Sequence, residues 1–282
     1  MSIVATAPPR RRRRLSIIGW IGLATIVFWL LVALIGPALA PYGEGQIVDD
    51  DVLSGMSRAF PLGTDYLGRD VLSRVLAGTR FTVGVALLAT AIACFAGTTM
   101  ALFAAVKGGW VDAVLSRVLD ALISVPSLMF GLVVVAALGS SIPVLVLTAA
   151  TIYTPGAYRT ARALAVNINA MDFVKVSRAR GERAGFIMRE EILPNMVLPV
   201  LTDLGLRFVY VVLLLSGLSF LGLGIQPPDA DWGSLVRENI SGLAYGAPAV
   251  IMPAAAIGIL TIGVNLLIDN LPSRRRGMSD VR

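Results

Sequence analysis

Residues 15–40 are apolar throughout and follow directly on five consecutive arginines, residues 10–14. A stretch of roughly 25 apolar residues is long enough to cross a bilayer. In lipid it can satisfy its backbone only as a helix or within a closed barrel. It is longer than the ~7–15-residue apolar part of a secretory signal. Ala38-Leu39-Ala40 mimics a cleavage site, but Pro41 is a poor residue to follow a cut. We read an uncleaved transmembrane helix whose N-terminus the arginines hold in the cytoplasm. Further apolar segments over 81–106, 114–138, 143–163, 197–223 and 248–271 make six crossings. The expected fold is therefore an all-α membrane protein with six transmembrane helices. Long apolar runs, in place of ten-residue alternation, select helices over a barrel. The chain is 56% hydrophobic, with a mean hydropathy of +0.78. Both values are too high for a soluble domain, where roughly 45–50% apolar is typical.

Composition excludes several chemistries. There is no histidine, so His-based triads, HExxH zinc sites and His proton shuttles are impossible. The one cysteine, Cys94, rules out an internal disulfide and reads as a small apolar core residue. No GxxxxGK[ST] motif occurs, so the chain carries no P-loop. The formal charge of +6 comes from arginines at membrane borders, and no aromatic–basic interleaving points to nucleic acid.

Within the segments, Gly84, Ala86, Ala89, Ala93, Gly97 and Ala101 form a small-residue face suited to close helix packing in lipid. Arg117 and Asp120 can pair across one turn, Pro126 kinks the third crossing midway, and Thr154-Pro155-Gly156 interrupts the fourth. Asp203 and Arg207 lie four apart on one face, either as a gate or latch or as a structural pair. Leu67, Val71, Val75 and Leu76 at helical spacing predict a short surface helix ahead of the second crossing, with Arg69, Asp70 and Arg74 on its other side. A second amphipathic helix is expected over 235–245, with Arg237 and Glu238 exposed. Arginines concentrate on the borders that six crossings place inside, including residues 274–276, so both termini are expected in the cytoplasm.

Residues 172–195 break the apolar pattern. Lys175, Arg178, Arg180, Arg183 and Arg189 stand against Asp172, Glu182, Glu190 and Glu191. Asp172 is placed to cap a helix over about 173–179. Gly181 supplies the positive-φ freedom of a sharp turn. A second short helix, about 183–193, is expected to end at Pro194.

The spacing of Gly181 to Ile192-Leu193-Pro194 resembles the "EAA…G…I-LP" cytoplasmic loop of ABC importer permeases, although Lys175-Val176-Ser177 stand where that family has Glu-Ala-Ala. Two more blocks resemble the dipeptide, oligopeptide and nickel importer permeases: Gly63-Thr64-Asp65 with Gly68-Arg69-Asp70 and Ser73-Arg74, and LSFLGLG followed by QPP and DWG over 218–233. The resemblance covers most of the chain after residue 60. It implies a type I ABC importer permease fold and a permease subunit of a binding-protein-dependent importer in the bacterial inner membrane. It divides the chain into a basic tail (1–14), a first helix with its external segment (15–79), a permease core (80–273) containing a coupling loop (159–196), and a C-terminal tail (274–282). In the loop, Gly181 permits the turn, Ala179, Arg180, Glu182 and Arg183 face an ATPase, and Pro194 ends the motif. The implied partners are a homologous second permease, two ATPase subunits carrying ATP and Mg, an external substrate-binding protein and membrane lipid. No cofactor is expected on this chain.

Two other classes compete. A membrane-embedded enzyme needs intramembrane catalytic groups, yet the carboxylates lie near segment ends. A secondary transporter driven by an ion gradient normally places ionisable residues at mid-membrane, and few occur. Dipeptides, longer peptides, glutathione-like thiols, opines and nickel chelates all remain open as ligands.

Overall fold

The computed structural model describes residues 15–271; the arginine runs at 10–14 and 274–276 lie outside them. Helix α1, Ile17–Leu39, starts at Ser16, whose hydroxyl accepts the Gly19 amide at 3.1 Å. This is the side-chain cap that a first helical turn requires. It packs against the final helix, α10 (Pro248–Asp269), where a Cβ at Gly22 would lie 2.6 Å from the Gly263 carbonyl. In lipid, small residues allow this approach and dispersion rewards it.

Helix α2 spans Val71–Lys107 without a break, so the surface helix expected ahead of the second crossing is its opening turns. The division placed at residues 79 and 80 falls inside it. The polar side of those turns faces inward, with Arg74 only 2% exposed. Ala86, Ala89, Ala93 and Ala101 are fully buried, and Gly97 backs onto Ala157 and Tyr158 of α5 (Ile142–Asn169). Gly84 is exposed and takes no part in that seam. Helix α5 continues through Thr154-Pro155-Gly156 instead of breaking there. The Thr154 hydroxyl donates to the Ala150 carbonyl at 2.7 Å, and packing against α2 offsets the amide that Pro155 lacks.

Helices α3 (Gly109–Ile123) and α4 (Ser127–Leu138) meet at 84° around Pro126. This is a full break, where the sequence predicted a kink. Proline bars the preceding residue from the helical region. After α5 come α6 (Asp172–Ala179), the single turn α7 (Ala184–Phe186), a π-helical turn over Ile187–Ile192 and α8 (Leu193–Phe220). The last three form one continuous helical run, Ala184–Phe220. Pro194 therefore lies inside that run and does not terminate it. The Leu193 amide donates back to Met188 and the Asn195 side chain to the Glu191 carbonyl at 2.7 Å. The wider turn thus absorbs the missing proline donor. Asp172 is also not a cap: Met171 holds that position, and the Asp172 carboxylate pairs with Lys175 at 2.9 Å.

Four helical runs are long and apolar enough to cross a membrane: α1, α2, Ala184–Phe220 and α10. The bent pair α3–α4 makes a fifth if it counts as one span. Helix α5 is not in this set. Its N-terminal half is apolar, but Thr, Tyr, Pro and Arg side chains dilute the rest.

Residues 40–70 cap the end of the bundle where α2 begins. Helix α9 (Trp232–Glu238) and a 3-10 turn over Ile240–Tyr245 pack beside them. Here the arginines that hydropathy places outside find partners. Asp65 accepts from Arg69 at 2.6 Å and from Arg74 at 2.8 Å, and Glu238 accepts from the same two at 3.0 and 2.7 Å. All four side chains are at most 7% exposed. Glu238 is thus buried, contrary to its expected exposure. Thr64 ties the cap together by donating to the Asp51 carbonyl at 2.7 Å. Asp70 caps α2 through the Ser73 amide, and Asp231 caps α9 through the Ser234 amide. Trp232, fully buried, donates its indole N–H to the Val75 carbonyl and meets Trp29 edge-on at 4.7 Å.

Candidate functional site

Two sites stand out, and the same two helices supply both. The first is the α6 elbow, at the opposite end of the bundle from the cap. The ends of α2 and α5 meet there, with the Asn169 side chain donating to the Ala105 carbonyl at 2.8 Å. Val174 of α6 is fully buried and packs with Ile187, Ile192 and Met196, which seats the short helix despite its charge. Gly181 has φ +83°, a left-handed conformation that a side chain would strain. The turn it makes exposes Ala179, Arg180 and Arg183, leaves Glu182 half-buried, and leaves Pro194 exposed farther along.

Two side-chain bonds fasten this elbow. Arg178 donates to the Asn169 side chain at 2.7 Å, tying α6 to α5. Ser177, 1% exposed, donates to Glu191 at 2.5 Å, tying α6 to the π turn that opens into α8. Arg180 reaches back to the Ser177 hydroxyl at 3.1 Å. A displacement of α6 therefore pulls on α5 and α8 together.

The second site is a cavity of about 540 Å³ between the α3–α4 break, α5 and α8. Pro126, Phe130, Ile152, Tyr153, Thr160 and Arg207 contribute to its wall. Arg207 is 9% exposed. It holds Asp203 through Nε at 2.6 Å and Nη2 at 3.0 Å. Longer contacts reach the Tyr153 carbonyl at 3.4 Å and the Thr160 hydroxyl at 3.3 Å. The expected Asp203–Arg207 pair is therefore formed, and it also bridges α8 to α5. Tyr153 stacks on Tyr210 with rings 6.4 Å apart and donates its hydroxyl to the Tyr210 carbonyl.

Asp120 does not pair with Arg117 in this arrangement. It meets Arg159 of α5 at 3.3 Å. Higher on the same interface Asp112 takes a two-pronged bond from Arg162, and Tyr158 bonds Ser116 at 2.9 Å. These contacts clamp α3 to α5. Sequence reasoning missed Ser177, Glu191, Tyr153, Gly156, Arg159 and Thr160. A serine in place of the resembled family's alanine was a signal for Ser177. The pairs that cross between helices left none. No group of three His, Cys, Asp or Glu side chains able to hold a metal ion occurs among the described residues.

Residues 95–277 match the profile of a family described as "Binding-protein-dependent transport system inner membrane component". The dipeptide transport system permease protein of Alkalihalophilus pseudofirmus is 29% identical over 261 residues, covering 93% of this chain and 85% of the relative. The glutathione transport system permease protein of Pectobacterium atrosepticum is 32% identical over 250 residues, covering 88% and 81%. Among solved structures, an amino acid ABC transporter chain overlays 71% of this chain and 91% of its own, at a TM-score of 0.49 and 20% identity.

Proposed function

Because this chain belongs to the family of binding-protein-dependent transport system inner membrane components, we propose that it passes peptide-like ligands inward along a path beside the Arg207 cavity. It is a permease subunit of an ABC importer and a transport subunit, not an enzyme. Two relatives named for dipeptide and glutathione transport support the ligand class. In this reading the chain crosses the inner membrane six times, α5 and the α3–α4 pair included, with both termini and the elbow in the cytoplasm. The tails (1–14 and 274–282), first helix and outer segment (15–79), core (80–273) and coupling loop (159–196) keep their proposed limits. A second permease faces this one, two ATPase subunits bind ATP and Mg, and an external protein delivers the ligand.

One observation carries the mechanism. Arg178–Asn169 and Ser177–Glu191 fasten α6 to α5 and to the run that becomes α8, the helices that place Tyr153, Thr160 and Arg207 in the cavity wall, with Asp203 holding Arg207. Closure of the ATPases pushes on Ala179, Arg180, Glu182 and Arg183. Gly181 keeps the elbow's shape, and the push reaches the cavity along two helices at once. The Asp203–Arg207 pair then acts as the latch between them, which is alternating access by rocking of packed helices.

The test is uptake of labelled Ala-Ala and glutathione by proteoliposomes holding the full assembly. Vanadate-sensitive, ATP-dependent uptake supports the reading. Uptake abolished by an uncoupler but indifferent to vanadate points to a secondary transporter and overturns it. Nucleotide crosslinking to the purified chain by itself also contradicts it.

A further inference from the structure

Helix α3 is seated unlike its neighbours. Among the described residues, Leu119 is its one buried side chain. Beside it runs a polar stripe, Asp112, Ser116 and Asp120, whose four-residue spacing keeps it on one face. These three meet Arg162, Tyr158 and Arg159 of α5. We propose that α3 is a gate arm, which shuts the Arg207 cavity off from the elbow end and swings away from α5 to open it. The inference rests on the importer reading and names the element that opens the path.

Position along α5 is the first argument. Residues 151–160 of α5 contribute to the cavity wall, 158–162 hold α3, and Asn169 joins α2 at the elbow. The polar clasp therefore lies between cavity and elbow. Arg159 belongs to both, as a wall residue paired with Asp120 at 3.3 Å. Leu122 and Ile123, the last residues of α3, are also in the wall, so moving the arm reshapes the cavity itself.

The arm has a joint at each end. Gly108 and Gly109 link it to α2 with φ of +61° and +57°. A Cβ on either would meet nothing within 4 Å, so these glycines serve the backbone turn and not close packing. At the other end the chain bends by 84° around Pro126, and the Val125 amide reaches the Leu122 carbonyl only at 3.4 Å. Hinges take up their rotation at a few such element-terminal residues.

The two seams on α5 differ in what parting them costs. Against α2, the small residues Ala86, Ala89, Ala93 and Ala101 are fully buried, and separation would empty close-packed volume. Against α3, Arg159 and Asp120 are 61% and 51% exposed, and Arg162 and Asp112 are partly exposed. Water replaces ion pairs of this kind at little net cost. The polar seam is the one that opens, and Arg178–Asn169 carries the elbow's movement to it along α5.

The experiment places Asp120→Cys and Arg159→Cys in a Cys94→Ala chain and treats the full assembly in proteoliposomes with a short bis-methanethiosulfonate. Closure of the ATPases shuts the inner side. Linking is therefore expected to be at least about fivefold faster in the vanadate-trapped assembly than in the nucleotide-free one, the lower end of usual coupling between sites. Linked chains lose uptake of labelled Ala-Ala, and reduction restores it. Equal linking rates in the two states, or no linking in either, overturn the gate, and these rates decide even if the unlinked variant transports poorly. Uptake that continues in fully linked chains overturns it too, as does a loss shared by either single-cysteine chain. Absence of ATP-dependent uptake from the unaltered assembly overturns the importer reading, whereas uptake indifferent to the link sinks the gate alone.

Discussion

A Cβ on Gly156 would lie 2.4 Å from Nη1 of Arg207, so α5 is bare of a side chain where the α8 guanidinium crosses it. The guanidinium cannot move aside freely, because Asp203 holds it at 2.6 and 3.0 Å. Gly156→Val is therefore expected to push Arg207 off Asp203 or off the Tyr153 carbonyl, at about 1–3 kcal/mol for overpacking. Uptake should fall by about five- to a hundredfold, since 1.4 kcal/mol is one decade, while the chain still reaches the membrane. Uptake by proteoliposomes, normalised to chain abundance, checks this; normal uptake would show that the fit has no role in transport.

Gly181 at φ +83° forms the elbow. A β-branched residue is an outlier in this region, at a cost of about 1–3 kcal/mol. Gly181→Val should leave the chain inserted and the ATPases active, but separate hydrolysis from transport. The measurement is the ratio of ATP hydrolysed to substrate taken up, expected to rise. An unchanged ratio contradicts the elbow as the coupling element.

Ser177 and Glu191 join α6 to the run that becomes α8 at 2.5 Å. Glu191→Gln retains a polar partner and should keep most coupling. Glu191→Ala removes one of the two fastenings and leaves Ser177 buried without its acceptor, a loss of about 1–3 kcal/mol. The same hydrolysis-to-uptake ratio should order the chains as unaltered, Gln, then Ala. Equal ratios for Gln and Ala would remove the fastening from the mechanism.

The cap holds two cations and two anions in a nearly dry cluster. Arg74→Met leaves Asp65 and Glu238 sharing Arg69 alone. Breaking a buried network from one side costs about 3–5 kcal/mol. The apparent Tm in detergent should fall clearly, and adding Asp65→Asn should recover part of the loss by removing the uncompensated charge. A Tm within error of the unaltered chain contradicts this account of the cluster.

Burial raises the Asp231 carboxyl above the ordinary carboxylate range, and bonds from Ser219 and Ser234 pull it back part of the way. A raised folded-state pKa means that the folded chain holds this proton more tightly than the unfolded one. The contribution therefore favours folding at low pH and fades as pH rises through the folded-state value. Asp231→Asn keeps a capping side chain without the charge. The variant's Tm should gain on the unaltered chain as pH rises from the unfolded-state range through the folded-state value. A constant difference across that range contradicts the shift.

Hydropathy alone made an all-helical membrane chain legible, because a long apolar run in lipid has few ways to satisfy its backbone. Its register was less legible. The opening of α2 was read as a surface helix, since Arg69, Asp70 and Arg74 looked solvated. They are buried because Asp65 and Glu238, the latter distant in sequence, come to meet the two arginines. Proline effects failed for a related reason. Pro126 breaks its segment, Pro155 leaves α5 intact and Pro194 sits in a continuous run. What a proline does depends on the partners available to the carbonyl it leaves free.

Within the candidate sites, Asp203–Arg207 and the glycine elbow could be read from sequence, as i,i+4 spacing and positive φ are local properties. Tyr153, Gly156, Thr160 and the Ser177–Glu191 bond could not. Sequence by itself determined which stretches must be helical, where a left-handed turn was needed and which chemistries the residue types exclude. Tertiary structure alone decided which helices meet, which charges are dry and where a cavity opens, because burial and pairing depend on side chains brought together from distant parts of the chain.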